Sequence, residues 1–440
     1  MRLYFSIRRW QLFVSAAILL SAIGANRADQ VGNKEVLQKS FNETNQRREK
    51  LFSGEEQASK ADANLAKAVA NYYIHRISNT AENPVTLHKD FASAIGRIEK
   101  SGKNRAFVDL FAPALVASMK EVLANNNVKT DGTVVVNAAM MLPAMARLQH
   151  HSINDYLASL VQDEKETHDA VRHYALKAVR EVMPIRIQLE PDPTQPQFED
   201  FNDPKQNARR LYDQKNVDAL AKYINRPLKV EGMTQAQIDV IRYLRREAIV
   251  ALAQTSAPAV SALKKPMKMD GLVAPTLMKV LAGSVQPPPS LSEKIEAALG
   301  LCAMRYPNMP EYNPDVANFL IGRTLLEFTT EYNKDLVNFA IVGAKKQLPL
   351  IPFKGDSNRL TAGLKLLAEN AAAGKVPTAR ASADQLILKF APIATNISTY
   401  KNVGGERVQD LNQYVNQIMP KELKPFKNLN VPAIQLAPAP

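Results

Sequence analysis

Leu110-Phe111-Ala112-Pro113-Ala114-Leu115 is a phrase that this chain uses more than once: apolar residues, a proline, then an apolar run. It returns at Met141-Leu142-Pro143-Ala144-Met145, at Val273-Ala274-Pro275-Thr276-Leu277 and at Phe390-Ala391-Pro392-Ile393. A phrase that recurs along a chain points to one structural unit used several times. The periodic stretches around it are helical rather than alternating. Val171, Ala175, Ala178, Val179 and Val182 form one stripe, and Leu65, Val69, Tyr72, Tyr73 and Ile77 form another, both with the three- and four-residue steps of a helix face. Gly supplies only 17 of 440 residues, which starves a β-rich or nucleotide-binding fold of its turns. The expected fold is all-α, an irregular α-solenoid of stacked helix pairs.

Two stretches sharpen that expectation. One runs Val171-Arg172-His173-Tyr174-Ala175-Leu176-Lys177-Ala178, the other Leu244-Arg245-Arg246-Glu247-Ala248-Ile249-Val250-Ala251-Leu252. Both resemble the HEAT repeat, an armadillo-type α-solenoid family. Its second helix carries a Val-Arg-x-x-Ala-x-x-Ala-Leu pattern, and its first often contains a Leu-Pro pair, as Pro143 and Pro275 do in context. The resemblance covers about half of the chain that follows residue 28. It implies a surface for holding partners, with the arginine of the phrase bridging neighbouring repeats. Pro113, Pro143, Pro275 and Pro392 stand 30, 132 and 117 residues apart. Only the last interval approximates a multiple of the ~40-residue period, so an irregular array or two helical lobes fits better than a regular superhelix.

Breaks in the helical pattern divide the chain. Residues 29–185 read as an N-terminal helical array, with interruptions at Ser53-Gly54, Ser101-Gly102, Asn125-Asn126-Asn127 and the turn signal Asp131-Gly132. Residues 186–205 hold Pro191, Pro193, Pro196 and Pro204 among several acids and read as an acidic, proline-rich linker or loop. Residues 206–425 read as a C-terminal helical array, crossed by the stiff connector Pro287-Pro288-Pro289. Residues 426–440, whose last ten carry three prolines and no charge, read as a disordered tail.

The start of the chain reads as an export signal. Arg2, Arg8 and Arg9 precede an apolar stretch from Leu12 to Ile23, and small residues follow at Gly24 to Ala28. Residues 1–28 are therefore expected to be a cleaved signal peptide, sending the mature protein to the periplasm or beyond the cell. Retention as an anchor is the alternative, although the stretch is shorter than the ~20 residues that span a bilayer. No later segment is apolar enough to cross. The net charge is +13. Without the four arginines that precede Asp29, 52 basic residues face 43 acids. That excess favours a protein partner or another acidic envelope component, and is too diffuse to argue for nucleic acid.

Chemistry is harder to find. There is no Gly-rich phosphate loop, nucleophile elbow, His-Glu-x-x-His or Cys-x-x-Cys. Cys302 is alone, so it forms no intramolecular disulfide and reads as a buried small hydrophobe. Three groupings fall short of a metal site: Glu164 with His168, the oxygen-rich Asp200, Asn202 and Asp203, and Met267 with Met269. No cofactor, metal or catalytic residue is expected. The remaining candidates are Arg242, Arg245 and Arg246, on one helix beside Tyr243. Arg242 and Arg246 are four apart and share a face; either they bind an acidic partner or they bridge repeats. The expected function is a non-catalytic binding or scaffolding module of the bacterial envelope. A membrane-tethered structural protein and an enzyme are the alternatives.

Overall fold

The computed structural model describes residues 28–78, 83–101, 104–125, 128–162, 168–187, 204–259, 272–305, 311–341, 350–427 and 431–437. Residues 1–27 of the expected signal peptide, residues 188–203 of the expected linker, Glu164, Asp200 to Asp203 and Met267 to Met269 lie outside them. The described residues are helical, with no strand among them beyond the isolated bridges Ala259 to Leu272 and Tyr312 to Phe426. No helix among them is long and apolar enough to cross a membrane.

The chain forms two compact units, 1–182 and 183–440. The first holds α1 (Ala28–Glu43), α2 (Asn45–Ser53), α3 (Ala63–His75), α4 (Pro84–Ser101), α5 (Arg105–Asn125), α6 (Val128–Ala139), α7 (Leu142–Ala146), α8 (His151–Gln162) and most of α9 (Asp169–Ile187). Helix α3 packs most extensively on α5 and also on α1. Helix α2 lies on α4, α4 on α7, α5 on α6 and α8, and α7 on α8. An aromatic cluster fills the centre. The Phe107 and Phe111 rings stack at 5.3 Å, with Phe52 tilted against both. Arg47 clamps Asp62 through Nε to Oδ1 at 2.9 Å and Nη2 to Oδ2 at 2.8 Å. This clamp, helped by the Ser59 amide and hydroxyl, holds the Asp62 carboxyl well below the usual carboxylate range.

The second unit holds α10 (Pro204–Asn225), α11 (Gln235–Ala253), α12 (Ala274–Leu281), α13 (Leu291–Cys302), α14 (Pro314–Ile341), α15 (Ile351–Ala373), α16 (Pro377–Ser398) and α17 (Gly405–Gln417). Here α10 lies on α11 and α12, α11 on α13, α12 on α13 and α14, and α13 on α14 and α15. Helix α14 lies on α16 and α17, α15 on α16, and α16 on α17. Two capping boxes set helix starts: Thr234 with Gln237 for α11, and Ser290 with Glu293 for α13. Gly300 lets α13 come close to its neighbours. A Cβ there would stand 2.8 Å from both Ala253 Cβ and Leu277 Cδ1. Phe328, Phe353, Phe390 and Tyr332 form the aromatic core between α14, α15 and α16.

Several expectations are corrected. The proline phrase does not mark one place: Pro143 and Pro275 open short helices, whereas Pro113 and Pro392 sit inside α5 and α16. At a helix start the missing N–H costs nothing, while an interior proline forgoes a backbone bond that packing must offset. Asp131-Gly132 lies inside α6, not in a turn. The buried Val134, Val135, Ala138 and Ala139 hold that helix against a Gly penalty of about 1 kcal/mol. The two ends of the expected linker at 186–205 are helical instead: α9 runs to Ile187 and Pro204 begins α10.

The tail at 426–440 is also corrected over the part described. The Phe426 ring is fully buried beside Tyr312, and Val431 and Ile434 are buried as well. The Ile434 amide donates to Leu423 O at 2.9 Å, and the Ala437 amide to Ala282 O at 2.8 Å. Low charge and proline content do not prevent docking where apolar side chains find a ledge and backbone groups find partners.

Candidate functional site

The three candidate arginines lie on α11, and each makes hydrogen bonds inside the second unit. Arg245 is 2 % exposed and its carboxylate partner Glu293 is 0 % exposed. Arg245 Nε donates to Glu293 Oε1 at 2.6 Å, Nη1 to Gln286 O at 3.0 Å and Nη2 to Pro287 O at 2.8 Å. Arg242 donates through Nε and Nη2 to Pro288 O at 3.0 and 2.8 Å. The connector Gln286-Pro287-Pro288 is thus a row of carbonyls facing two guanidinium groups. Proline suits that place, since it lacks an N–H and still keeps its carbonyl as an acceptor. Arg245 as a partner-binding residue is corrected: an enclosed guanidinium cannot meet a partner.

Glu293 does two jobs with its two oxygens. Oε1 receives Arg245, while Oε2 accepts from the Ser290 amide at 2.7 Å and the Ser290 hydroxyl at 2.8 Å. One turn on, Glu296 takes Arg246 Nη2 on Oε1 at 2.7 Å and Arg359 Nη2 on Oε2 at 2.6 Å. Burial pushes the Glu296 carboxyl up, but the bonds from Arg359 and Arg246 outweigh it and hold the group below its ordinary range. Arg359 extends the chain of charges to Asp356, 3.0 Å away. These pairs tie α11 to α13 and α13 to α15. Sequence reading did not single out Glu293 or Glu296. The visible signal was Ser290-x-x-Glu293 directly after three prolines, a capping box.

In the first unit a cavity of about 290 Å³ opens between α4, the break after α6, α7 and α9. Phe91, Met140, Met141 and Pro143 supply its apolar wall, while Arg147 and Glu181 also line it. His88, another lining residue, has Nε2 2.8 Å from Asn137 O. Arg147 is ion-paired with Glu99. Methionine side chains adapt to irregular apolar shapes, which suits such a wall to an inserted side chain.

Two of the histidines sit at helix starts. His150 and His168 each precede a helix by one residue, and each ring accepts on Nδ1 from the amide two residues on, at 3.2 Å for Ser152 and 3.1 Å for Ala170. They cap α8 and α9. Burial, helped by His151 and Arg105, pushes the His150 pKa down to about 4; burial and Lys177 do the same for His173. His75 stands 3.6 Å from Glu121. Among the described residues no group of three or more His, Cys, Asp or Glu could hold a metal ion. Cys302 is 1 % exposed, and burial pushes its thiol up to about 12, which leaves it a packing residue. Compared with protein-family models, curated proteins and solved structures, the chain matches none of them.

Proposed function

We propose that this chain is a non-catalytic binding or scaffolding module of the bacterial envelope, an irregular α-solenoid of HEAT-like helix pairs that holds an acidic protein partner on its helical surface. The supporting observation is the order of neighbours. Among the described residues of each unit, the extensive helix contacts join helices one, two or three apart in the chain. In the second unit the alternation α10–α12–α14–α16 and α11–α13–α15 makes two rows, as stacked helix pairs do. Such rows leave long faces open to a partner. The cavity beside Phe91 and Met141 offers a seat for one bulky apolar side chain, and the net charge of +13 favours an acidic partner.

The test is affinity capture from envelope extract with full-length protein and its Ala144→Glu variant, which places a charge in the half-buried cavity wall. The expected result is retention of one acidic protein by the wild type. At least tenfold less is expected on the variant, with melting unchanged within a few degrees. Equal retention by both proteins counts against the cavity as the seat, and a captured protein with no acidic excess counts against the charge argument.

Export is part of the same proposal. Trp10 is the single tryptophan of the chain and lies in the expected signal. Protein purified from the cell envelope should therefore lack indole emission. Emission from the purified protein would mean that the N-terminal segment is retained, as in a tethered protein.

A further inference from the structure

We propose that the end of α12 and the turn after it form a groove for an extended, uncharged peptide with an apolar residue at every third position, now filled by the chain's own residues 431–437. The inference does not depend on the reading above. Val431 and Ile434 are buried, Pro432, Ala433 and Gln435 are exposed, and Leu436 and Ala437 are both half-buried. Positions 431 and 434 share one side by burial, and Ala437 joins them because its Cβ faces Gly283, giving the period of three that a polyproline II strand presents. Pro432 favours that conformation.

The ledge is built to receive backbone. Ala282 O, one of the carbonyls that α12 leaves unpaired at its end, accepts the Ala437 amide at 2.8 Å. The Ser284 hydroxyl donates to Gln435 O, and Leu423 O accepts the Ile434 amide at 2.9 Å. Gly283, at φ +77°, keeps the ledge low; a Cβ there would come within 2.9 Å of Ala437 Cβ. The opposite wall does not rely on the strap. Lys427 N donates to Glu311 O at 2.7 Å and Asn313 N to Pro425 O at 2.9 Å, so residues 425–427 are pinned separately. Main-chain bonds supply affinity and every third side chain supplies selectivity, which is how grooves read extended peptides.

The strap is held weakly enough to exchange. Two buried aliphatic side chains and three hydrogen bonds hold seven residues against the backbone entropy of all seven. Tethering, through a high effective concentration, keeps the groove filled in the isolated chain.

The experiment uses a labelled synthetic peptide of residues 431–440 with full-length wild type and with full-length Ile434→Asp, whose own strap carries a charge where the groove is apolar. The expected result is saturable binding to the variant at least tenfold tighter than to the wild type, and no binding of a peptide carrying the same Ile434→Asp change. Absence of binding to a variant with wild-type circular dichroism and melting overturns the proposal, as does equal binding to both proteins. Should the variant lose helix, amide exchange in the wild type decides. Ile434 and Ala437 amides must exchange much faster than those of α12 and faster still with excess unlabelled peptide; exchange as slow as α12 overturns the idea.

Discussion

Replacing Arg245 by Met should lower the stability of residues 183–440 by about 3–5 kcal/mol, because it leaves the Glu293 carboxylate buried without its partner. Methionine keeps most of the side-chain volume, so the loss isolates charge and hydrogen bonding from packing. Three acceptors lose their donor at once: Glu293 Oε1, Gln286 O and Pro287 O. The denaturant midpoint should fall at an unchanged slope. Glu293→Gln should cost less than Arg245→Met. Its amide oxygen can still accept from Ser290, and no anion is stranded. In the double variant Arg245→Met, Glu293→Gln the loss should be smaller than the sum of the two single losses, because nothing charged is left in the enclosure. An Arg245→Met protein within about 0.5 kcal/mol of wild type, the range of ordinary surface changes, would show that the guanidinium is not enclosed.

Acid should weaken the first unit as pH falls from 6.5 towards 4. His150 and His173 have folded pKa values near 4 against 6.5 for the free side chain. Between those values the unfolded chain binds more protons than the folded one, so stability rises with pH across the window. The contribution is fully present above pH 6.5, is lost as pH falls towards 4, and changes no further below that. Each of the two histidines represents about 2–5 kcal/mol. His150 carries a structural reason besides burial: its Nδ1 accepts the Ser152 amide at the start of α8, and a proton there removes the acceptor. The groups around it oppose one another, with His151 and Arg105 lowering its pKa and Asp109 raising it. Asp62, held low by Arg47, adds its own loss only at more acid pH. Urea midpoints at pH 7 and pH 4.5 should therefore differ for the transition of residues 28–182. His150→Gln, which cannot protonate, should shrink that difference. An unchanged difference would remove His150 from the account.

Helix was legible because apolar stripes such as Val171 to Val182 have no other good reading. Helix ends were legible where Gly54 or Ser290 gave local chemistry. What misled was the proline phrase, since the same four letters start α7 and α12 but continue α5 and α16. The difference lies in tertiary packing, not in the phrase. Helices α16 and α17 fall within the expected C-terminal array, but their bounds were not legible, because Pro392 and the polar stretch after Gly405 mask a stripe that packing on α14 reveals. The arginine face was legible as a face. Its occupant was not, because Glu293, Glu296 and the carbonyls of 286–288 come from residues about fifty positions away, joined to α11 only by folding. The tail was misread for the same reason. Its ledge lies about 150 residues upstream.

That last contact changes how the second unit would carry a load. In a simple helical stack, tension on the C-terminus peels the end helix first and then each neighbour in turn. Here Gln435 is held by Ser284, and Ala437 by the end of α12. A pull applied beyond residue 437 passes directly to α12 and bypasses α13 to α17. The strap acts as a strain relief: while it stays seated the helices between 285 and 422 feel no axial force, and once it lifts they become the compliant element of the chain.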